Sequence, residues 1–311
     1  MSTIEKALAK QKQAAQDKKG NLEAVIARDS QQFDDSKTPQ FESPTQSTNA
    51  PVSKEENTPA KTAKIDKETI ILNGDHLTEK GFIYSANSAH HIQEGFRHIK
   101  RKLINNAFGP AAKTLKHSNL IMVSSSNANE GKTFISINLA LSIALEQDKT
   151  VLLVDADVLR PSLHRELEFD CQQGLLEYLL NEVKSLSDVI YNTNIPNLKI
   201  IPAGKQHHLT NELLASTKMA VLAEELAQRY PDRIVIFDCP PILGVTETPV
   251  LSSFIGQAVV VVEESKTKLD DVKKAVSQLN EDIAVGFVMN KTIRSKKDAY
   301  GYYGYGYGKK N

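Results

Sequence analysis

Short, unbroken runs of apolar residues, most of them branched, recur along the chain from about Ile70 onward: Leu120 to Val123, Val151 to Val154, Leu198 to Ile201, Ile234 to Phe237, Val259 to Val262 and Val285 to Met289. Continuous apolar character, in place of alternation with polar residues, predicts parallel strands buried on both faces. Between them, stretches over Phe134 to Glu146, Asn211 to Ala227 and Leu269 to Leu279 carry helical apolar spacing. Strands alternating with helices predict an α/β fold, a doubly wound and mostly parallel sheet with helices on both sides. There is no internal repeat to suggest a solenoid.

Ahead of the first strand, Ile92, Phe96, Ile99 and Leu103 recur at helical spacing, which predicts a helix with one apolar face against the sheet. Glu94, Arg97, Lys100 and Arg101 lie on its polar side. On composition alone that side is a solvated face laced with weak ion pairs.

The apolar pattern is missing at both ends. Residues 1–66 are mostly Lys, Gln, Asp, Ser, Thr, Asn and Pro, a composition that cannot offset the entropy of ordering, and they read as largely disordered. Ile4, Ala7, Leu8, Ala14 and Ala15 mark one weakly amphipathic helix there, near residues 3–19. Residues 67–292 form the predicted folded domain, and residues 293–311 a flexible tail. Five of the nine tyrosines, Tyr300, Tyr302, Tyr303, Tyr305 and Tyr307, stand in that tail between glycines, where no core can form around them. Such phenols are accessible acceptors.

Charge adds little global information, since 38 basic residues balance 38 acidic ones. No overall field favours nucleic acid or anionic lipid. Cys171 and Cys239 read as core thiols of a protein in a reducing cytoplasm. The sequence shows no signal peptide and no apolar run near the ~20 residues needed to span a bilayer, so membrane association is expected only through a partner.

The most specific chemistry lies between the first strand and its helix. Ser126-Asn127-Ala128-Asn129-Glu130-Gly131-Lys132-Thr133, followed by Phe134, places successive backbone N–H groups and a helix N-terminus where they can surround a polyphosphate. Lys132 can reach the outer phosphates and the Thr133 hydroxyl can ligate Mg²⁺. The strict pattern is broken by Ser126 at its first glycine, and Asn129 stands where a glycine is expected. Two further strands end in acids, Asp155-Ala156-Asp157 and Asp238-Cys239-Pro240-Pro241. Parallel strands bring their carboxyl ends to one edge, beside the loop. Any one of these aspartates can serve as a cap for the following helix or turn; together they predict a magnesium nucleotide site.

This ordered set, SSSNANEGKT, LLVDADVLRP and VIFDCPP, with Glu94-x-x-Arg97-x-x-Lys100 and the tyrosine cluster, resembles the bacterial protein-tyrosine kinases over roughly residues 84–311. It is most similar to stand-alone cytoplasmic kinases of exopolysaccharide clusters, including the exosortase-associated tyrosine autokinases. The resemblance implies a P-loop NTPase fold shared with partition ATPases, and ATP and Mg²⁺ as cofactors. Lys132 and Thr133 would be the Walker A residues, Asp155 and Asp157 would belong to a second motif, Walker A′, and Asp238 would be the Walker B carboxylate. Thr133, Asp155 and Asp238 would hold the metal, and Asn290 would contact adenine. The helix with Glu94, Arg97, Lys100 and Arg101 would assemble ring-like homo-oligomers that present one subunit's tail to the next. Lysine at position 100 in place of the family's arginine keeps the charge but loses the bidentate fork. At Thr246-Glu247-Thr248 the family's frequent Thr-Asp-Ala is absent, and Glu247 is given no role. The implied partners are the cytosolic segment of an inner-membrane polysaccharide co-polymerase and a tyrosine phosphatase, with no nucleic acid.

On this reading the chain transfers phosphate from ATP to Tyr300, Tyr302, Tyr303, Tyr305 and Tyr307. From Thr292 to Tyr300 an extended chain spans at most ~28 Å, enough to reach its own site or a neighbour's. Asp157 is favoured as the proton acceptor, with Asp155 and Asp238 nearer the metal, although the sequence leaves the choice open. The unmodified tail is basic through Arg294, Lys296, Lys297, Lys309 and Lys310. It is expected to dock on an acidic site and to be expelled once phosphorylated. Two rivals remain at this stage: a partition-type switch ATPase, which would carry a lysine at Asn127, and a non-catalytic protein whose Tyr/Lys tail stacks on single-stranded nucleic acid.

Overall fold

The structure is a computed structural model that describes residues 69–84, 90–207, 210–230 and 232–292. The expected helix near residues 3–19 and all five tail tyrosines lie outside the described residues.

A seven-stranded sheet organises the described chain, in the order β3-β4-β2-β5-β1-β6-β7. Its strands are β1 Leu120–Ser125, β2 Thr150–Asp155, β3 Tyr191–Asn192, β4 Leu198–Ile201, β5 Arg233–Asp238, β6 Gln257–Glu263 and β7 Ala284–Asn290. All neighbouring pairs are parallel except β3 with β4. Side chains alternate between the two faces. On one face Leu120, Met122, Leu152, Val154, Val235, Phe237 and Val260 pack with α7 (Thr217–Gln228) and α9 (Leu269–Val276). On the other, Ile121, Val123, Leu153, Ile234, Ile236 and Val259 pack with α1 (Gly74–Glu79), α2 (His90–Phe108) and α3 (Lys132–Ala144). Both faces of the central strands are therefore dry, and every residue of β1 and β5 is buried.

The expected apolar face of α2 is present: Phe96 and Leu103 are buried, and Ile92 and Ile99 pack partly against the same core. The shorter elements are α4 (Leu163–Glu166), α5 (Leu175–Leu179), α6 (Thr210–Leu214) and α8 (Glu247–Ser252).

Four expectations need correction. The helix expected over Asn211 to Ala227 is two helices, α6 and α7, because Ser216 leaves helical geometry and caps α7 by accepting from Met219 N at 3.2 Å. Helix α9 ends at Val276, three residues before Leu279. Strand β7 is not buried on both faces: it is an edge strand, with Phe287 and Met289 about three-fifths exposed. Finally, only Cys239 is a core thiol, since Cys171 is half-buried. Burial and the nearby Glu177 carboxylate push the Cys171 thiol up to about 11.

Candidate active site

The sheet register builds the site. Strands β2 and β5 pair so that Asp155 stands opposite Asp238, and β1 pairs with β5 so that Val123 also meets Asp238. Each of these strands ends at the same edge, where the loop from Ser126 to Gly131 leads into α3. Asn129 has φ 66° and Gly131 φ 95°, so the loop turns through left-handed geometry twice. Asparagine tolerates that region better than most residues, which accounts for its presence in the loop. Gly131 has no such substitute: a Cβ there would meet Asn290 Nδ2 at 2.0 Å.

Lys132 opens α3, and its Nζ donates to Asp157 Oδ2 at 2.5 Å. Thr133 Oγ1 donates to Asp238 Oδ2 at 2.7 Å and lies 2.8 Å from Ser162 Oγ. Ser136 Oγ, one turn along α3, donates to Asp238 Oδ1 at 3.0 Å. Asp155 is turned toward the backbone, accepting from Asp157 N, Ser162 N and Leu163 N at 3.1–3.2 Å. For Asp155, then, the capping role open to any strand-end aspartate is realised: it folds the segment from Asp157 to Leu163 around itself.

Burial sets the electrostatics. It pushes Asp155 up to about 8, helped by the Asp238 carboxylate and opposed by the Leu163 amide. Asp238 is raised for the same first reason, against the pull of Lys132 and Thr133. Burial alone would lower Lys132, but the carboxylates of Asp238, Asp157 and Asp155 outweigh it and hold the ammonium above its ordinary value. A divalent cation placed among these desolvated acids would favour their ionised forms and offset the charge they then carry.

The residues present fit a magnesium nucleotide. Helix α3 has no side-chain cap at its N-terminus, so its first N–H groups are open to an anion. The Thr133 hydroxyl and Asp238 offer the hard oxygens that Mg²⁺ prefers. Among the described residues no three His, Cys, Asp or Glu side chains form a protein-only metal cage. Mg²⁺ sites commonly have one or two carboxylates and take their remaining ligands from phosphate and water.

Glu130, an acid inside the loop, turns its carboxylate back onto the loop's own start and onto Thr267. Its carboxylate is buried, accepting from Asn127 N at 3.0 Å and Thr267 Oγ1 at 2.5 Å. The Ser126 hydroxyl is buried without a hydrogen-bond partner among the described residues. The loop's outer side is held from the end of β7, where Asn290 Nδ2 donates to Glu130 O at 2.9 Å and Lys291 Nζ to Asn129 O at 2.7 Å. Lys291 is itself fixed by Glu263 Oε2 at 3.0 Å. Asn290, expected at the base, thus holds the loop with its amide. Lys291, Glu263 and Thr267 were not singled out by sequence reasoning; the only signal for them was their position at the carboxyl ends of β6 and β7.

Residues 118–285 match the AAA domain family described as AAA_31. The chain is 37% identical over 180 residues to a tyrosine-protein kinase, ptk, of Acinetobacter johnsonii, covering 57% of this chain and 24% of that protein. It is 34% identical to the tyrosine-protein kinase YwqD of Bacillus subtilis over 186 residues, 59% of this chain and 77% of YwqD. The chain belongs to the bacterial protein-tyrosine kinases. Among solved structures of this kinase family, the kinase domain of the Escherichia coli tyrosine kinase ETK superposes with a TM-score of 0.59 at 28% identity, covering 71% of this chain and 82% of that one. The chain spans about a quarter of the Acinetobacter relative's length and most of YwqD's.

Helix α2 differs from the expected polar face at one position. Glu94 and Arg97 pair within the helix at 2.8 Å, and Arg97 is largely exposed. Arg101 is exposed as well. Lys100 is not on that outer face: only 12% exposed, it donates to Ser142 O at 2.9 Å and pairs with Glu146 at 2.5 Å, tying α2 to the C-terminal end of α3. The long lysine stem can reach back to the α3 carbonyls, where a cation is favoured. Glu247, left without a role, is partly exposed at the start of α8 and accepts from the Thr246 hydroxyl.

Proposed function

We propose that the chain is an ATP-dependent tyrosine autokinase that phosphorylates Tyr300, Tyr302, Tyr303, Tyr305 and Tyr307 and thereby regulates exopolysaccharide synthesis or export. The observation that carries the reading is the pairing of Lys132 with Asp157 beside the Thr133–Asp238 contact. Before nucleotide binds, Lys132 occupies Asp157. An arriving polyphosphate competes for the ammonium, and as Lys132 turns to the phosphates it frees the Asp157 carboxylate. That carboxylate then accepts the phenolic proton as the phenol oxygen attacks the γ-phosphorus and the bond to the β-phosphate oxygen breaks, releasing ADP. Forming a free phenolate at pH 7 from a phenol of pKa ~10 costs about 4 kcal/mol, which a positioned base offsets. Mg²⁺, held by Thr133 and Asp238 with Asp155 behind them, would neutralise charge on the phosphoryl oxygens. Ser126, Asn127, Ala128, Asn129, Gly131 and Phe134 contribute the phosphate-facing backbone and its flank, and Asn290 keeps the loop in register.

Ring-like self-assembly through Glu94, Arg97 and Arg101 fits the exposed face of α2, with Lys100 acting inside the subunit. No helix among the described residues is long and apolar enough to cross a membrane. Placement at the inner membrane through a polysaccharide co-polymerase, and reversal by a tyrosine phosphatase, follow from the same reading.

The test is intact-mass and phosphotyrosine mapping of the full chain incubated with Mg-ATP, beside Lys132→Met and a variant with all five tail tyrosines changed to Phe. Up to five added phosphates are expected, all in residues 300–307 and absent from both variants. ATP turnover with an unmodified tail would overturn the autokinase reading in favour of a switch ATPase.

A further inference from the structure

The cleft above the phosphate loop encloses about 1310 Å³. That exceeds the ~300–1,000 Å³ usual for a small-molecule site, leaving room beside a nucleotide for part of an acceptor segment. Its floor carries Lys132 and Asp157, and its mouth carries Lys80, Arg160, His164 and Arg165 with one acid, Glu166. Glu166 is shared loosely, 3.6 Å from both Lys80 and Arg165. The Arg165 side chain is 70% exposed, and Arg160 is exposed with no ion-pair partner among the described residues. Three full positive charges therefore face one negative charge at the entrance. The positions are fixed from below, because Asp157 Oδ1 accepts from Arg160 N at 3.1 Å and Asp155 anchors Ser162 and Leu163.

This charge is opposite to what an unmodified tail calls for. Arg294, Lys296 and Lys297 precede the tyrosines, so a cationic entrance repels the tail before reaction. A phosphotyrosine brings about −1.5 to −2 charges and three acceptor oxygens, which a guanidinium binds in bidentate fashion. Tyr303, Tyr305 and Tyr307 are spaced by two residues, so in an extended chain their side chains share one side at intervals of ~7 Å.

We propose that Arg160 and Arg165 form a subsite for the phosphotyrosine dianion, which retains an already phosphorylated tail while the next phenol enters beside Asp157. The inference rests on the autokinase reading. It limits the expectation that phosphorylation expels the tail to the fully modified segment: before that, the first transfer is the slow one and each phosphate speeds the next.

The experiment uses the full chain with its five tail tyrosines changed to Phe, so that it cannot serve as its own substrate. Two synthetic peptides of residues 300–311 keep Tyr305 as sole acceptor, with phenylalanine or phosphotyrosine at position 303. At saturating Mg-ATP the phosphopeptide is expected to show a kcat/KM at least about fivefold higher, falling to near parity in Arg160→Ala/Arg165→Ala and declining with salt. Equal rates on the two peptides would overturn the subsite and leave the kinase reading standing. If the arginines instead bind ATP phosphates, the variant raises the KM for ATP and slows both peptides alike at unchanged ratio, which also overturns it. Phosphorylation of neither peptide would remove the kinase reading and the subsite together.

Discussion

The floor and the mouth of the cleft both carry charge, but in different physical states. At the floor, Asp155, Asp157 and Asp238 are buried and Lys132 is mostly covered, and each has its bonds assigned: to one another, to Thr133 and Ser136, or to the backbone of residues 157–163. At the mouth, Arg160, His164 and Arg165 stand in solvent. Floor charges are costly to hold and shape the fold around them. Mouth charges cost little, do little for stability, and are available to whatever arrives. The same residue types thus build the site in one place and recruit to it in the other.

The contrast is broken most severely at Lys132. Changing it to Met leaves Asp157 and its neighbours without their cation, and removing one partner of a buried pair is expected to cost on the order of 3 kcal/mol in chemical denaturation. Adding Asp157→Asn should recover part of that loss. If Lys132→Met were as stable as the parent, the floor would not be a coupled unit.

A smaller effect separates Asp155 from the rest. Its folded pKa of about 8 lies above the ordinary 3.8, so the stability it contributes is complete below about pH 4 and is lost as pH rises toward 8. The Tm of the nucleotide-free protein should therefore fall across that window, and Asp155→Asn should flatten the slope. A variant with the parent's slope would place the titration elsewhere. At the mouth, Arg165→Ala should change unfolding free energy by no more than about 0.5 kcal/mol. A larger loss there would make the mouth structural and erase the distinction.

Much of this architecture is legible in the residues. The central strands declare themselves through unbroken apolar runs because both their faces are covered, and the loop and the two acidic strand ends follow from strand direction. The errors have a common origin in local pattern. Val285 to Met289 reads like any other strand, yet whether a strand is central or at an edge is decided by sheet order, which no local run encodes. Ser216 interrupts a continuous helical pattern by a cap that competes with the helix for the same backbone. Lys100 looks like part of a polar face, but its stem reaches the end of α3, which is set by tertiary packing. Lys291 and Thr267 escaped notice because their partners, Asn129 and Glu130, are more than 130 positions away in sequence, and Glu263 because its carboxylate acts on the loop only through Lys291.

The contact between Gly131 and Asn290 has a consequence for how such a sequence can drift. A side chain at position 131 would force the Asn290 amide aside, since its first carbon would lie 2.0 Å from Nδ2, and the amide would give up its bond to Glu130 O. A shorter residue at 290 would only remove a hydrogen bond to Glu130 O. The two positions therefore differ in what they tolerate: position 290 can shorten for the loss of one hydrogen bond, whereas a residue at 131 must displace that amide and also hold a left-handed φ that disfavours anything but glycine. Two residues far apart in sequence are thus coupled across the phosphate loop, the glycine's bare backbone and the asparagine's amide each setting what the other position can hold.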